Sequence, residues 1–206
     1  MAGDKSRLVV LVRIYHERSL TPRLHARLLQ RLSTTLLGAP LVVRVSSRWV
    51  ELTVFANPSG GALSRLAGIL GARSLEVGVP GEPDACGPEC LSRYRRLLGE
   101  NRFWEAHEVG EAIWASTGRA GQALAALAGA YAKAQEGMAH AARGILCKAL
   151  AMSRETGLND ALDALCLRAK VAGVYSEGWG DPGACIEWRR LERLLSGEAR
   201  SPRIRA

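Results

Sequence analysis

A histidine and a glutamate one helical turn apart are the residues best placed for chemistry. His107 and Glu111 lie in the segment 103–114, which reads FWEAHEVGEAIW. Side chains at positions i and i+4 of a helix are neighbours, so these two can meet. A carboxylate beside an imidazole holds one tautomer of the ring, as general acid/base chemistry requires. His107 and Glu111 are therefore the candidate catalytic residues of a small hydrolase.

The same segment contains a set of residue types that bind metal ions. His107, Glu108 and Glu111 supply one imidazole and two carboxylates, the donors of a non-haem iron site. Glu108 is displaced from Glu111 by about 60° around a helix axis. The pattern also lacks the second histidine of the zinc protease motif. A divalent metal at these three residues is thus an alternative, and the cofactor, if any, is left open.

A third interpretation makes the pair structural. An apolar helix face must be buried, so we expect His107 and Glu111 to be at least half buried. Each would then reach the other or Gln122, forming a polar network that fixes the packing of the helices. The predicted lining residues of this site are Phe103, Trp104, Glu108, Trp114, Gln122 and Lys133.

Composition places the chain among ordinary globular proteins. It has 206 residues, of which 48% are hydrophobic and 23% charged. No apolar run approaches the roughly 18 residues of a membrane helix, and Leu8–Val12 is too short for the core of a signal peptide. We therefore expect a cytoplasmic protein with no membrane partner.

Five irregularly spaced cysteines argue against a disulfide framework in this chain. Cys86 and Cys90 form the one close pair, for which a metal or redox role is the alternative to ordinary thiols. No second cysteine or histidine pair follows nearby to complete a metal site.

Charge and glycine/proline content divide the chain into two parts. Residues 1–80 contain 11 Lys and Arg and 4 Asp and Glu, a net charge of +7. Residues 81–206 contain 17 Lys and Arg and 16 Asp and Glu, a net charge of +1, and the two parts sum to +8. A segment rich in proline and glycine separates them. The predicted organisation is a basic domain over 1–80, a linker over 81–88, a helical domain over 89–197 and a basic tail over 198–206.

The pattern of the first part predicts an α+β domain. Two leucine-rich helices separate the strands, a βαββαβ order typical of a ferredoxin-like sandwich. The predicted elements are strands at Leu8–Tyr15, Leu41–Val45, Trp49–Phe55 and Leu75–Val79, and helices within 21–38 and 59–71.

One face of the predicted sheet is free of these helices. Arg13, Tyr15, Trp49 and Phe55 lie on it, and aromatic and arginine side chains on such a sheet can stack on nucleic-acid bases. Glu51 lies in the middle of the same face, and the glycine-aromatic signature of RNA-recognition modules is missing. Packing against other protein is therefore favoured, and nucleic-acid binding through residues 1–80 is the alternative.

The second part reads as an all-helical bundle of about six helices. Alanine-rich faces on these helices are compatible with a homo-oligomer. On the helix that follows residue 118, small residues lie between Gln122 and Lys133 and let another helix approach closely.

The motif at 103–114 resembles domain-of-unknown-function family 309, over roughly residues 89–152. An aromatic pair, then Glu-Ala-His-Glu, then Glu and Trp at this spacing form the family pattern. Arg119, Gln122 and the turn Gln135-Glu136-Gly137 also match. Residues that depart from the pattern are Gly110, Ala123, Lys133 and Met138. The resemblance implies a small helical bundle and brings no established activity.

Taken together, the sequence favours a binding or assembly module with a structural core network of His107, Glu111 and Gln122. The alternatives are a metal-dependent or acid/base hydrolase that uses His107 and Glu111, and a nucleic-acid-binding protein that uses the N-terminal sheet.

Overall fold

The computed structural model describes four strands, six α-helices and two 3-10 helices. The residues described are 8–13, 30–32, 41–45, 49–54, 61, 64–65, 68, 74–78, 89–173 and 181–196. The strands are β1 Leu8–Arg13, β2 Leu41–Val45, β3 Trp49–Val54 and β4 Ser74–Gly78. The α-helices are α1 Glu89–Gly99, α2 Phe103–Thr117, α3 Arg119–Gln135, α4 Ala139–Thr156, α5 Ala164–Gly173 and α6 Trp188–Leu195. The 3-10 helices are Leu158–Asp160 and Pro182–Cys185.

The four strands form one antiparallel sheet in the order β2-β3-β1-β4. In the register of β1 and β3, Leu11 pairs with Glu51, and in that of β2 and β3, Arg44 pairs with Glu51. Alternation along β3 places Val50 and Leu52 on one face and Glu51 and Thr53 on the other. All four are buried, so the described centre of β3 is covered on both sides.

The prediction of an α+β fold built on a ferredoxin-like βαββαβ unit is wrong for the structure as described. Between the strands, only residues 30–32, 61, 64–65 and 68 are helical among those described, and no complete βαββαβ unit is present there. Helices make up most of the described residues. Alternating apolar residues located the strands correctly, but leucine spacing alone did not establish the crossover helices that define the fold.

A buried ion-pair network lies on the covered face of the sheet. The Nη1 atom of Arg44 donates to Oε1 of Glu51 at 2.7 Å and to the hydroxyl of Thr53 at 2.9 Å. The Nε atom of Arg44 lies 3.0 Å from Oε1 of Glu136. The guanidinium therefore joins two carboxylates, and a charge buried in this way is stable only with such partners.

The helical character predicted for the second part is confirmed, and α3 is its most enclosed helix. The Tyr94 hydroxyl of α1 donates to the carbonyl of Leu124, and the Tyr131 hydroxyl of α3 donates to the carbonyl of Leu167 on α5. The buried residues of α3 include Ala123, Leu124, Ala125, Leu127, Ala128, Ala130, Tyr131, Ala132 and Ala134. A helix buried on nearly all sides needs small residues, which explains the many alanines.

Two compact units share the chain. One contains Met1–Glu82, Gln135–Met138 and Tyr175–Gly178, and the other contains Pro83–Ala134, Ala139–Val174 and Trp179–Ala206. The predicted linker over 81–88 lies outside the described residues, and the predicted domain boundaries stay a prediction.

A disulfide corrects the expectation that the cysteines form no bridges. Cys166 of α5 is bonded to Cys185, the last residue of the second 3-10 helix. The two cysteines are 19 residues apart, a spacing with no sequence signature, so the fold and not a motif brings them together. Cys86 lies outside the described residues.

The described helices are each too short or too polar to cross a bilayer. A cytoplasmic location stays a prediction.

Candidate functional site

Close packing between α2 and α3 builds the surroundings of His107. A Cβ atom placed on Gly110 would lie 2.7 Å from the Cα of Ala125, and one on Gly121 would lie 2.5 Å from the Cα of Trp114. Side chains larger than hydrogen at these two positions would push the helices apart. Gly110, which departs from the family pattern, is thus explained by the backbone of Ala125 directly opposite.

The buried face of α2 differs from the predicted one. Its buried residues are Phe103, Ala106, Val109, Gly110, Ala112 and Ile113. At 100° per residue, their mean direction around the helix axis is rotated by about a third of a turn from the side that holds Trp104, His107, Glu111 and Trp114. Trp114 is 42% exposed, and the Glu111 side chain is 52% exposed. The prediction that Glu111 is at least half buried is therefore wrong, because Glu111 does not lie on the face of α2 that is buried.

His107 lies at the edge of the contact between α2 and α3. Its Nδ1 atom is 2.9 Å from the carbonyl oxygen of Ala125, and its Nε2 atom is 3.3 Å from Oε1 of Glu111. The His107 side chain is 23% exposed. Gly129 leaves room for the ring, since a Cβ there would lie 3.4 Å from Nδ1. The predicted meeting of His107 and Glu111 is confirmed.

The Ala125 carbonyl determines which tautomer His107 adopts. A carbonyl oxygen only accepts hydrogen bonds, so Nδ1 carries a proton and donates it. Nε2 then faces the carboxylate of Glu111, and the imidazole ring has two possible protonation states. If Nε2 is protonated, the ring is an imidazolium paired with Glu111; if it is not, its lone pair and a carboxylate oxygen are both available to a cation. In both states Nδ1 is engaged by the Ala125 carbonyl, and Nε2 lies beside Glu111.

The remaining predicted site residues are only partly brought together. The ring centroids of Trp104 and His107 lie 5.2 Å apart with the rings tilted by 44°, whereas Phe103 is buried with its ring centroid 5.1 Å from that of Tyr131. The side-chain oxygen of Gln122 accepts a hydrogen bond from Nη1 of Arg119 at 2.8 Å. The two half-buried residues Glu108 and Lys133 complete the predicted set.

Sequence reasoning missed the backbone acceptor of the site. The carbonyl of Ala125 has no side-chain signature, and it approaches His107 only because Gly110 and Gly129 allow α2 and α3 to pack closely. The signal that was available was the row of small residues on α3, which predicted a close helix contact without naming its partner.

An ion pair stabilises the start of α2. Both terminal oxygens of Glu105 accept from Arg102, at 2.7 Å from Nε and 2.6 Å from Nη2. Burial by itself lowers the pKa of Arg102, but the hydrogen bonds and charges of Glu105 and then Glu100 raise it above its ordinary value overall. Arg102 thus stays charged and holds the first turn that leads to His107.

Two buried phenols next to the site have perturbed acidity. Burial, followed by the influence of Tyr131, raises the pKa of Tyr94 far above its ordinary value. Burial, followed by the charge of Asp181, raises the pKa of Tyr131 in the same way. Both hydroxyls therefore remain protonated and keep their hydrogen bonds to backbone carbonyls.

Among the described residues, no cluster of three or more His, Cys, Asp and Glu side chains is arranged to hold a metal ion. One copy of α2 offers two close donors, Nε2 of His107 and Oε1 of Glu111. The predicted three-residue set with Glu108 is therefore not assembled within the part of the chain that the structure describes.

Two of the four residues predicted to bind nucleic acid, Arg13 and Trp49, lie at the ends of described strands. Arg13 ends β1 opposite Trp49, which begins β3. Tyr15 and Phe55 lie outside the described residues. The role of these four in nucleic-acid binding stays a prediction.

Helices α1 to α5, joined through contacts of α3 with its neighbours, define a helical-bundle domain that holds a His–Glu pair on α2. Residues 91–145 of this domain match the family model described as Domain of unknown function (DUF309). The resemblance seen in the motif is confirmed over these residues, which include α2 and α3. No curated protein and no solved structure matches the chain. The family description assigns no activity, so a functional proposal rests on the geometry.

Proposed function

We propose that this chain is an assembly module in which two copies meet through α2 and share a divalent transition-metal ion. The observation that carries the proposal is the pair of donors on α2, with Nε2 of His107 and Oε1 of Glu111 3.3 Å apart. Imidazole and carboxylate are ligands that zinc and similar metals accept.

The hydrogen bond on the other side of the His107 ring supports metal binding. Histidines that ligate metals nearly always donate their second ring N–H to a carbonyl or carboxylate, which fixes the tautomer and the orientation. Nδ1 of His107 does this toward Ala125 at 2.9 Å. The lone pair of a neutral ring is then on Nε2, beside Glu111.

Exposure along α2 supports a protein partner. His107, Glu111 and Trp114 follow one another at i, i+4 and i+7, and here they are called the α2 stripe. Trp114, a large aromatic residue, is 42% exposed. Tryptophan is enriched at the centres of protein interfaces, where its burial contributes much of the binding energy.

The number and charge of the donors favour a second copy as the partner. Structural zinc sites have four ligands, and one α2 stripe supplies two. A two-fold contact through the stripe would bring two His107 and two Glu111 side chains together, completing four. Without a cation, the two carboxylates would repel each other, so the proposed metal also removes the main obstacle to the contact.

The other functions considered have less support. General acid/base chemistry would depend on Nε2 of His107 alone, because Nδ1 is engaged by the Ala125 carbonyl. Nucleic-acid binding through the sheet would need an accessible face, and at the described centre of β3 both Glu51 and Thr53 are buried.

Calorimetric titration of the chelator-treated protein with zinc tests the proposal. We expect saturation at one zinc ion per two chains. Glu111→Gln preserves the size of the side chain and should weaken binding at least tenfold, and His107→Ala should abolish it. Glu192→Gln, which changes an exposed carboxylate on α6, is the matched control and should bind as the parent does.

Three outcomes would overturn the proposal. They are the lack of saturable zinc binding by the parent, equal binding by parent and Glu111→Gln, and saturation at one zinc per chain with no change in mass. The last result would mean that α2 binds metal without assembling.

A further inference from the structure

The disulfide between Cys166 and Cys185 joins two cysteines of unequal accessibility. Cys166 is half buried in the first turn of α5, whereas Cys185 is only 4% exposed. Cys166 is therefore the more accessible residue of the bridged pair. Thiol–disulfide exchange depends on which sulfur the attacking thiolate can reach.

Backbone hydrogen bonds hold the two joined segments together beside the disulfide. The amide of Asp163 donates to the carbonyl of Cys185 at 2.9 Å, and the amide of Glu187 donates to the carbonyl of Ala161 at 2.8 Å. Leu162 and Ile186 form an antiparallel bridge between these two bonds. The segments thus have attachments that do not involve sulfur, and opening the disulfide leaves them in place.

Packing further along the chain adds to this attachment. Trp188 at the start of α6 stacks edge-on against Tyr94 of α1 with ring centroids 6.3 Å apart. Its indole N–H donates to the carbonyl of Gly183 at 3.1 Å. The residues on both sides of Cys185 are therefore fixed by side-chain and backbone contacts.

We propose that Cys166 is a thiolation site, at which a small-molecule thiol opens the disulfide and stays attached. The attacking thiolate forms a new S–S bond with the sulfur of Cys166, and the bond to Cys185 breaks. The sulfur of Cys185 leaves with the electron pair and takes up a proton. One disulfide replaces another, so the exchange needs no oxidant or reductant beyond the thiol itself.

The exchange at Cys166 can run in both directions. The freed thiol of Cys185 stays in the same segment and can attack the mixed disulfide, which restores the original bond and releases the small-molecule thiol. A reversible modification at Cys166 follows, carried by a domain that remains folded.

Peptide mapping after incubation of the full native chain with reduced glutathione tests this inference. A Cys147→Ser background removes the exposed free cysteine of α4. We expect glutathione on the peptide that contains Cys166 and a free thiol on the peptide that contains Cys185. Hydrogen exchange should stay unchanged in α2 and α3, and the amides of Asp163 and Glu187 should stay protected.

Cys185→Ser provides a second arm, because it leaves Cys166 as a thiol that needs no opening step. Oxidised glutathione should modify Cys166 in this variant with the same selectivity. The inference is overturned if the disulfide resists reduced glutathione unless denaturant is added, if the adduct is on Cys185, or if adduct formation unfolds the whole domain.

Discussion

The Nδ1 atom of His107 lies 2.9 Å from the carbonyl oxygen of Ala125, so the imidazole of α2 donates a hydrogen bond to the backbone of α3. This contact ties the two helices that carry the family motif. It also sets the tautomer and thereby presents Nε2 to Glu111. The stability of the domain and the chemistry of the α2 stripe thus depend on the same ring.

His107 and Glu111 should differ in their effect on stability. His107→Ala removes the bond to Ala125, and we expect the free energy of unfolding to fall by about 1 kcal/mol. Glu111→Ala should change it by less than about 0.5 kcal/mol, because an exposed carboxylate contributes little. Urea titrations followed by circular dichroism measure both, in metal-free buffer. Equal losses would mean that the pair, and not the Ala125 bond, stabilises the helices.

Gly110 should tolerate no side chain. In Gly110→Ala, the new Cβ would lie 2.7 Å from the Cα of Ala125, and forcing the helices apart should cost about 1–3 kcal/mol. Gly144 provides the control on α4, since a Cβ there meets nothing within 4 Å. Gly144→Ala should stabilise the protein by about 0.5–1 kcal/mol. Thermal unfolding of the two variants should therefore shift in opposite directions, and a shift in the same direction would contradict the described contact.

Alkaline solution should destabilise the helical domain. Because the pKa of Tyr94 is raised in the folded state, the unfolded chain loses this proton from about pH 10 while the folded chain keeps it. The contribution to stability is complete below that pH and is lost as the pH rises further. The free energy of unfolding should thus fall above about pH 10, and Tyr94→Phe should flatten the fall. Unchanged slopes in Tyr94→Phe and in Tyr131→Phe would contradict the described burial.

Breaking the ion-pair network on the sheet should be costly. Arg44→Ala leaves the carboxylate of Glu51, which is 0% exposed, without its guanidinium partner. Removing one member of a buried ion pair costs about 3–5 kcal/mol. Arg143→Ala, an exposed position on α4, should stay within about 0.5 kcal/mol of the parent. Denaturant unfolding of both variants provides the comparison, and similar midpoints would rule out a stabilising role for the network.

The positions of the strands could be predicted from the alternation of apolar and polar residues along the sequence. β2 lies at the predicted Leu41–Val45, and β3 is described over Trp49–Val54, within its predicted span, whereas Phe55 lies outside the described residues. The dipeptide Asp181-Pro182 has the residue types that favour a helix start, and the side chain of Asp181 accepts a hydrogen bond from the amide of Gly183 there. The helix is a short 3-10 turn, however, because an extended Ile186 separates it from α6.

The buried face of α2 could not be predicted from the sequence, for a physical reason. Phe103, Trp104 and Trp114 dominated the predicted face because large rings have the largest apolar surface. In the structure, Phe103 is buried but Trp114 is 42% exposed, and Gly110 lies against the backbone of Ala125 on α3. No local sequence motif indicates the backbone acceptor at Ala125 or the pairing of the distant cysteines Cys166 and Cys185.

Sedimentation velocity of the full chain with zinc and after chelation tests the central claim most directly. The account predicts a two-chain species with zinc that reverts to one chain when the metal is removed. Trp114→Ala should shift this equilibrium toward single chains, whereas Leu165→Ala, at a more exposed residue outside the α2 stripe, should leave it unchanged. A single-chain species at every zinc concentration, or a dimer indifferent to zinc and to Trp114→Ala, would contradict the account.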